Sequence, residues 1–151
     1  MDEPDTKVKI DDLDFKIIQI LESNGRTPNN EIAERLSVSE GTVRNRIKKL
    51  TGSNFLKVKG LTNPDFGRNK QLIFILVSLE NVRRWRETAE SIAGLPNVKS
   101  VSMLTGRFDI LVEVFIEPHQ LITFLTEQPG NIEQISSTES LVTIKNFNKW
   151  V

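Results

Sequence analysis

Seven of the nine residues in Gln71-Leu72-Ile73-Phe74-Ile75-Leu76-Val77-Ser78-Leu79 are apolar. The run is far short of the roughly 20 residues that span a membrane. At this length it reads as a strand buried on both faces. Such a strand must sit inside a sheet that is covered on each side, so it dictates the architecture of everything around it.

The residues that follow supply one cover. Val82–Gly94 reads as a helix, with Trp85, Ala89, Ile92 and Ala93 inward and Arg83, Arg84, Arg86, Glu87 and Glu90 outward. Leu95-Pro96-Asn97 breaks it. Val98–Leu104 is a second strand and Thr105-Gly106-Arg107-Phe108 a turn. Asp109–Ile116 is a third strand, with Ile110, Val112, Val114 and Ile116 on one face. Pro118 opens a helix carrying Leu121, Ile122 and Leu125, which Pro129-Gly130 ends. A last strand runs from about Ser137 to Lys145. The order β-α-β-β-α-β is the ferredoxin-like split βαβ, with both helices on one face of the sheet. The other face is then expected to pack against a second copy, giving a homodimer.

The first sixty residues have a different period. Leu13, Ile17, Ile20 and Leu21 form one helical stripe after an acidic start at Asp11-Asp12, and Asn24-Gly25 ends it through the left-handed conformation. Thr27-Pro28 announces a second helix, with threonine as cap and proline at the first helical position. Its inner face is Ile32, Ala33 and Leu36. After the turn Ser37-Val38-Ser39, Ser39 caps a third helix that reaches about Leu50, with Val43, Ile47 and Leu50 inward.

At about 100° per residue, Gly41, Asn45, Lys48 and Lys49 lie opposite that apolar line. Thr42 and Arg44 flank them. Arg46 falls at the core edge, placed to reach a phosphate or a neighbouring helix. Two short helices, a tight turn and a basic third helix make a helix-turn-helix. Arg, Lys and Asn are the side chains that pair with guanine and adenine edges. Phe55–Leu61 then alternates apolar residues with lysines at period two, which predicts a short strand, a wing placing Lys57 and Lys59 on the phosphate backbone. The bland alternative is a closing hairpin with solvated lysines.

Charge follows the same division. The whole chain is balanced at 20 basic and 20 acidic residues. Residues 41–70 nevertheless hold eight basic side chains (Arg44, Arg46, Lys48, Lys49, Lys57, Lys59, Arg68, Lys70) and one acidic, Asp65, between two acidic flanks. A concentrated positive window is the footprint of a polyanion contact.

The chain has no cysteine, which excludes disulfides, thiolate catalysis and Cys-based zinc. Its only histidine, His119, lacks partners for a metal site or a Ser-His-acid set and reads as a first-turn surface residue. No phosphate-binding glycine pattern is present. No catalysis, cofactor or metal is expected. The acidic start, Met1–Asp12, lacks a signal-peptide pattern, so a cytoplasmic, non-membrane protein is expected.

The sequence resembles the Lrp/AsnC (leucine-responsive/asparagine, feast/famine) regulators from about Asp11 to Lys145. The stretches that carry the likeness are Asp12-Leu13-Asp14 with Ile17 and Leu21, Gly25-Arg26, Glu31-Ile32-Ala33, Leu36-Ser37-Val38-Ser39, Thr42–Leu50, Asn63-Pro64 and Gly106-Arg107-Phe108-Asp109. Each is weak alone; their order and spacing make the set specific. The resemblance implies an α+β chain. Residues 1–61 form a winged helix-turn-helix that binds double-stranded DNA, residues 62–70 a linker, and residues 71–151 a βαββαβ (RAM/ACT-like) effector-binding and oligomerisation domain. The candidate DNA-contacting set, from the helical wheel and the lysine alternation, is Ser39, Gly41, Thr42, Arg44, Asn45, Arg46, Lys48, Lys49, Lys57 and Lys59.

The resemblance further implies a dimer assembling into octameric discs, with a small effector, typically an amino acid, bound between dimers. The turn Gly106–Asp109 lies at that site, and Leu104, Thr105 and Arg107 join Gly106 and Asp109 as candidates. A glycine turn exposes backbone N–H groups to a carboxylate, and an aspartate meets an ammonium. Alternatively, Gly106 only makes the turn and Asp109 caps it. Ser37 stands where the family's helix-turn-helix usually carries Gly. Asn54 replaces a common Gly near the wing, and the wing is one residue shorter before Asn63-Pro64.

Three functions remain open from sequence: an effector-responsive transcription regulator, a nucleoid-type architectural DNA-binding protein, and an amino-acid-sensing module acting on a protein partner.

Overall fold

The computed structural model describes residues 9–67, 69–127 and 134–151. Arg68 and the expected helix stop at Pro129-Gly130 lie outside the described residues. The chain divides into two compact units, Met1–Gly60 and Leu61–Val151.

In the N-terminal unit, α1 spans Asp12–Ser23, α2 Asn29–Leu36 and α3 Glu40–Gly52. Asp11 begins α1 with a capping box: its carboxylate accepts from the N–H groups of Leu13 and Asp14, and Asp14 reaches back to the N–H of Asp11. Ile17, Leu21, Ile32, Ala33 and Val43 form the buried core, with Leu13, Ile20, Leu36, Val38, Ile47 and Leu56 packed around it. Ser37 takes φ 54° and ψ 44°, so the turn before α3 uses the left-handed conformation with a serine where glycine would be unstrained.

Three expectations change here. Asn24 does not end α1 in the left-handed region; its backbone is extended (φ −151°) and its Oδ1 accepts from the N–H of Arg26. Thr27 does not cap α2. Its hydroxyl donates to the carbonyl of Asn24 at 2.8 Å, it is buried, and Pro28 occupies the cap position without a side-chain bond. The wing is not a strand. Phe55–Leu61 forms no ladder; the N–H groups of Phe55 and Leu56 close on the carbonyl of Leu50 instead, and Asn54 turns the chain at φ 59°. A single extended segment needs a partner to satisfy its backbone, and the unit's other described elements are helices.

In the C-terminal unit, β1 is Gln71–Leu79, α4 Trp85–Ala93, β2 Val98–Met103, β3 Ile110–Ile116, α5 Leu121–Glu127 and β4 Ile135–Val142. Short 3-10 turns at Val82–Arg84 and Pro118–Gln120 lead into α4 and α5. The sheet order is β2-β3-β1-β4, and all neighbours are antiparallel. Ile73, Ile75, Val77 and Leu79 of β1 and Ile110, Val112, Val114 and Ile116 of β3 share one buried cluster with Ile92 and Phe124 from the helices.

Alternation on β3 is as expected, because a strand's side chains alternate strictly between faces. The helix faces hold in part: Trp85, Ala89 and Ile92 of α4 and Leu121 and Leu125 of α5 lie in or against that core. Ala93 is exposed and Thr88 is buried, its hydroxyl donating to the carbonyl of Arg84 and to Gln134. Ile122 is 74% exposed, and Phe124 of α5 is buried. Ala93 and Ile122 each follow a residue that does face the core, Ile92 and Leu121, and lie at the margin of the apolar stripe. On the sheet's second face, Phe74, Leu76 and Phe115 are only half-buried, with Lys149 over the Phe74 ring and Lys99 over the Phe115 ring.

Candidate nucleic-acid interface and effector loop

The third helix is positioned from its first residue. Ser39 Oγ accepts the N–H of Thr42 at 3.1 Å and lies 2.8 Å from the Thr42 hydroxyl. That cap anchors the start of α3, while Val43 and Leu50, both fully buried, fix its inner face. Gly41, Arg44, Asn45 and Lys48 are exposed on the side away from the core. A Cβ at Gly41 would meet only Ser39 Oγ, at 3.8 Å, so the helix presents a flat surface there. Arg44 is held by Glu40 one turn back, an exposed pair of little strength. Asn45 and Lys48 have no side-chain hydrogen bond or ion pair among the described residues. An amide and an ammonium that are exposed, unpaired and adjacent on a capped helix are the groups that hydrogen-bond base edges and phosphates.

Arg46 and Lys49 point elsewhere. The wheel placed Lys49 with the outward face, but its ammonium donates to Asp14 Oδ2 at 3.0 Å and to the carbonyl of Lys9 at 2.8 Å. Arg46 pairs with Asp11 and lies 3.2 Å from Asp14 Oδ1, without the alignment of a hydrogen bond. Asp14 is completely buried. Burial pushes its carboxyl up, but the Lys49 ammonium, the Asp11 N–H and the Arg46 guanidinium outweigh that and hold it below the usual range. Arg46 likewise holds Asp11 low. The sequence gave Asp11-Asp12 only as an acidic helix start and Asp14 no role beyond the family motif. An acid at the third position of a helix start, with basic residues three apart on a later helix, is the signal that was available. Lys57 and Lys59 are exposed on the irregular segment after α3.

In the C-terminal unit, the turn between β2 and β3 brings Leu104, Thr105, Gly106, Arg107 and Asp109 together. The Leu104 N–H donates to the Asp109 carbonyl and the Asp109 N–H to the Val77 carbonyl, both at 2.9 Å. Gly106 sits at φ 132°, a conformation that disfavours any side chain. Thr105, Gly106 and Arg107 are exposed, Leu104 and Asp109 half-buried, and the Arg107 guanidinium lies over the Phe108 ring. One oxygen of Asp109 is committed to the fold: Oδ2 accepts the N–H of Leu79 at 2.8 Å. Among the described residues no group of three or more His, Cys, Asp or Glu could hold a metal ion, and no helix is long and apolar enough to cross a membrane.

Comparison with known proteins agrees with both units. Residues 10–51 match the model of the AsnC-type helix-turn-helix domain, and residues 72–149 that of the Lrp/AsnC ligand binding domain. An uncharacterized HTH-type transcriptional regulator of Pyrococcus furiosus is 34% identical over 93% of this chain and 95% of its own. The HTH-type transcriptional regulator LysM of Saccharolobus solfataricus is 31% identical over 91% of this chain and 96% of its own. Among solved structures, a transcriptional regulator of Neisseria meningitidis in complex with L-methionine superposes with a TM-score of 0.69 at 27% identity, covering 93% of this chain and 94% of that one. These are regulators and not enzymes. The chain belongs to the Lrp/AsnC family of transcriptional regulators, with an AsnC-type helix-turn-helix and a ligand-binding domain.

Proposed function

We propose that the protein is a sequence-specific DNA-binding regulator whose DNA binding or assembly responds to an amino acid. The observation that carries the DNA half is the exposed face of α3, where Asn45 and Lys48 stand unpaired beside Gly41 and Arg44 on a helix capped by Ser39. In this reading α3 enters the major groove, Asn45 and Lys48 read base edges or phosphates, and the Ser39-Thr42 end lies against the backbone. Lys57 and Lys59 add phosphate contacts from the segment after α3. The division into a DNA-binding unit of residues 1–61, a linker of residues 62–70 and an effector unit of residues 71–151 belongs to this proposal, as does a cytoplasmic location.

The effector half rests on the ligand-binding family match and on the relative solved with L-methionine. Leu104, Thr105, Gly106, Arg107 and Asp109 form its site. The exposed N–H groups of the glycine turn meet the carboxylate, and the Asp109 oxygen not bonded to Leu79 meets the ammonium. The half-buried second face of the sheet packs against a second copy, and the dimers assemble into octamers with the effector between them. A two-fold protein then reads a two-fold operator, and a ligand bound between dimers favours one assembly state.

Substituting Asn45→Ala and Lys48→Ala together, and titrating duplex DNA by fluorescence anisotropy, tests the reading. Loss of specific binding with the fold and the assembly unchanged supports it. Undiminished binding by the double variant overturns it.

A further inference from the structure

Among the described basic residues between positions 41 and 70, two turn back onto the protein while remaining partly exposed. Arg46 and Lys49 lie three apart on α3 and both turn toward the start of α1, away from Gly41, Asn45 and Lys48. Lys49 makes two hydrogen bonds there, to Asp14 Oδ2 and the Lys9 carbonyl, and Arg46 makes contacts with both Asp11 and Asp14. The carboxylate they share is fully buried. If either cation left for a phosphate, the buried carboxylate would keep only the other, a loss that offsets what one exposed phosphate contact returns.

We propose that Arg46 and Lys49 are positioning residues for DNA recognition and not DNA contacts: through Asp14 they hold α3 against the start of α1, leaving Gly41, Arg44, Asn45 and Lys48 as the contact face. The proposal rests on the DNA-binding reading. It divides six residues of one helix into two functional sets. It also gives Asp14, an anion in a DNA-binding unit, a favourable effect on binding, the opposite of what its charge alone would do.

The test is the salt dependence of duplex binding by the full chain, using the fragment the wild type retains best. A residue that neutralises a phosphate contributes about one unit to the slope of log affinity against log salt. Lys48→Gln is expected to lose about one unit. Arg46→Gln and Lys49→Gln are expected to keep the wild-type slope and bind about tenfold more weakly, because the competent orientation of α3 is populated less while its contacts are unchanged. Asp14→Asn is expected to weaken binding too, although it removes a negative charge. Arg46→Lys should recover much of the loss, and each variant is compared at a temperature where its circular dichroism shows it folded.

Were Arg46→Gln to lie unfolded at every temperature, Lys49→Gln and Asp14→Asn decide. A unit of slope lost in Arg46→Gln or Lys49→Gln, or tighter binding by Asp14→Asn, overturns the proposal while leaving the DNA reading intact. A wild type that retains no duplex overturns both.

Discussion

Asp109 and Leu79 are joined at the end of the sheet: Asp109 Oδ2 accepts the backbone N–H of Leu79 at 2.8 Å, at the point where β1 ends and the turn from β2 enters β3. The same loop carries the proposed effector contacts. Its aspartate therefore serves the fold with one oxygen and is available to a ligand with the other. Asp109→Ala leaves a half-buried N–H without its acceptor and is expected to destabilise the C-terminal unit by about 1–3 kcal/mol. Asp109→Asn keeps a carbonyl acceptor and should melt close to wild type while losing the response to the effector. Thermal melts with and without amino acids separate the two roles.

Ser37 adopts φ 54° at the turn between α2 and α3. A left-handed residue other than glycine carries a steric cost of about 1–2 kcal/mol. Ser37→Gly relieves it, offset by the greater freedom glycine has in the unfolded chain. The variant is expected to raise the melting temperature of the N-terminal unit and leave DNA affinity unchanged. A lowered melting temperature would show that the serine side chain is needed in the turn.

Gly67 has an ordinary backbone conformation (φ −69°), so its role is close approach. A Cβ there would lie 2.3 Å from Phe115 Cζ and 3.0 Å from the Pro64 carbonyl oxygen. Gly67→Ala is expected to cost about 1–3 kcal/mol by overpacking. Phe115→Leu, which removes the far end of the ring, should recover much of that loss in the double variant. Denaturant titration of the two single variants and the double variant measures the coupling.

The Asp14 carboxyl is depressed in the folded protein, since the hydrogen bonds and charges around it outweigh the burial that raises it. A depressed carboxyl stabilises the fold above its unfolded value, about pH 3.9. That stability is lost as pH falls through the lower folded value. Asp11, held low by Arg46, acts in the same direction. The helical signal of the N-terminal unit should therefore become markedly less heat-resistant as pH falls below about 4. Asp14→Asn should be less stable at neutral pH and lose part of that acid sensitivity. Circular dichroism melts from neutral pH downward check both.

Much of this was readable from residue order because the signals are periodic. Ile110, Val112, Val114 and Ile116 could face only one way once β3 was a strand, and the inner face of α3 follows from Val43 and Leu50. Period two failed at Phe55–Leu61, because alternation alone does not provide a pairing partner. Helical period placed Trp85, Ala89, Ile92, Leu121 and Leu125 against the core and missed only at the margin of each stripe, at Ala93 and Ile122. The candidate site divided in the same way. Ser39, Gly41, Asn45 and Lys48 could be placed by the wheel. Arg46 was placed at the core edge, with a neighbouring helix as one of its two destinations; Lys49 could not be placed, since its direction is set by an aspartate more than thirty residues earlier in the chain.

Selection of bound genomic fragments by the purified full-length protein at about 150 mM salt, with and without pooled amino acids, tests the regulator reading most directly. The expected result is enrichment of a short two-fold-symmetric motif, with a change in recovery on adding one pool. Uniform recovery of all fragments would contradict it and indicate an architectural protein, and no recovery from a folded oligomer would point to a sensor acting on a protein partner.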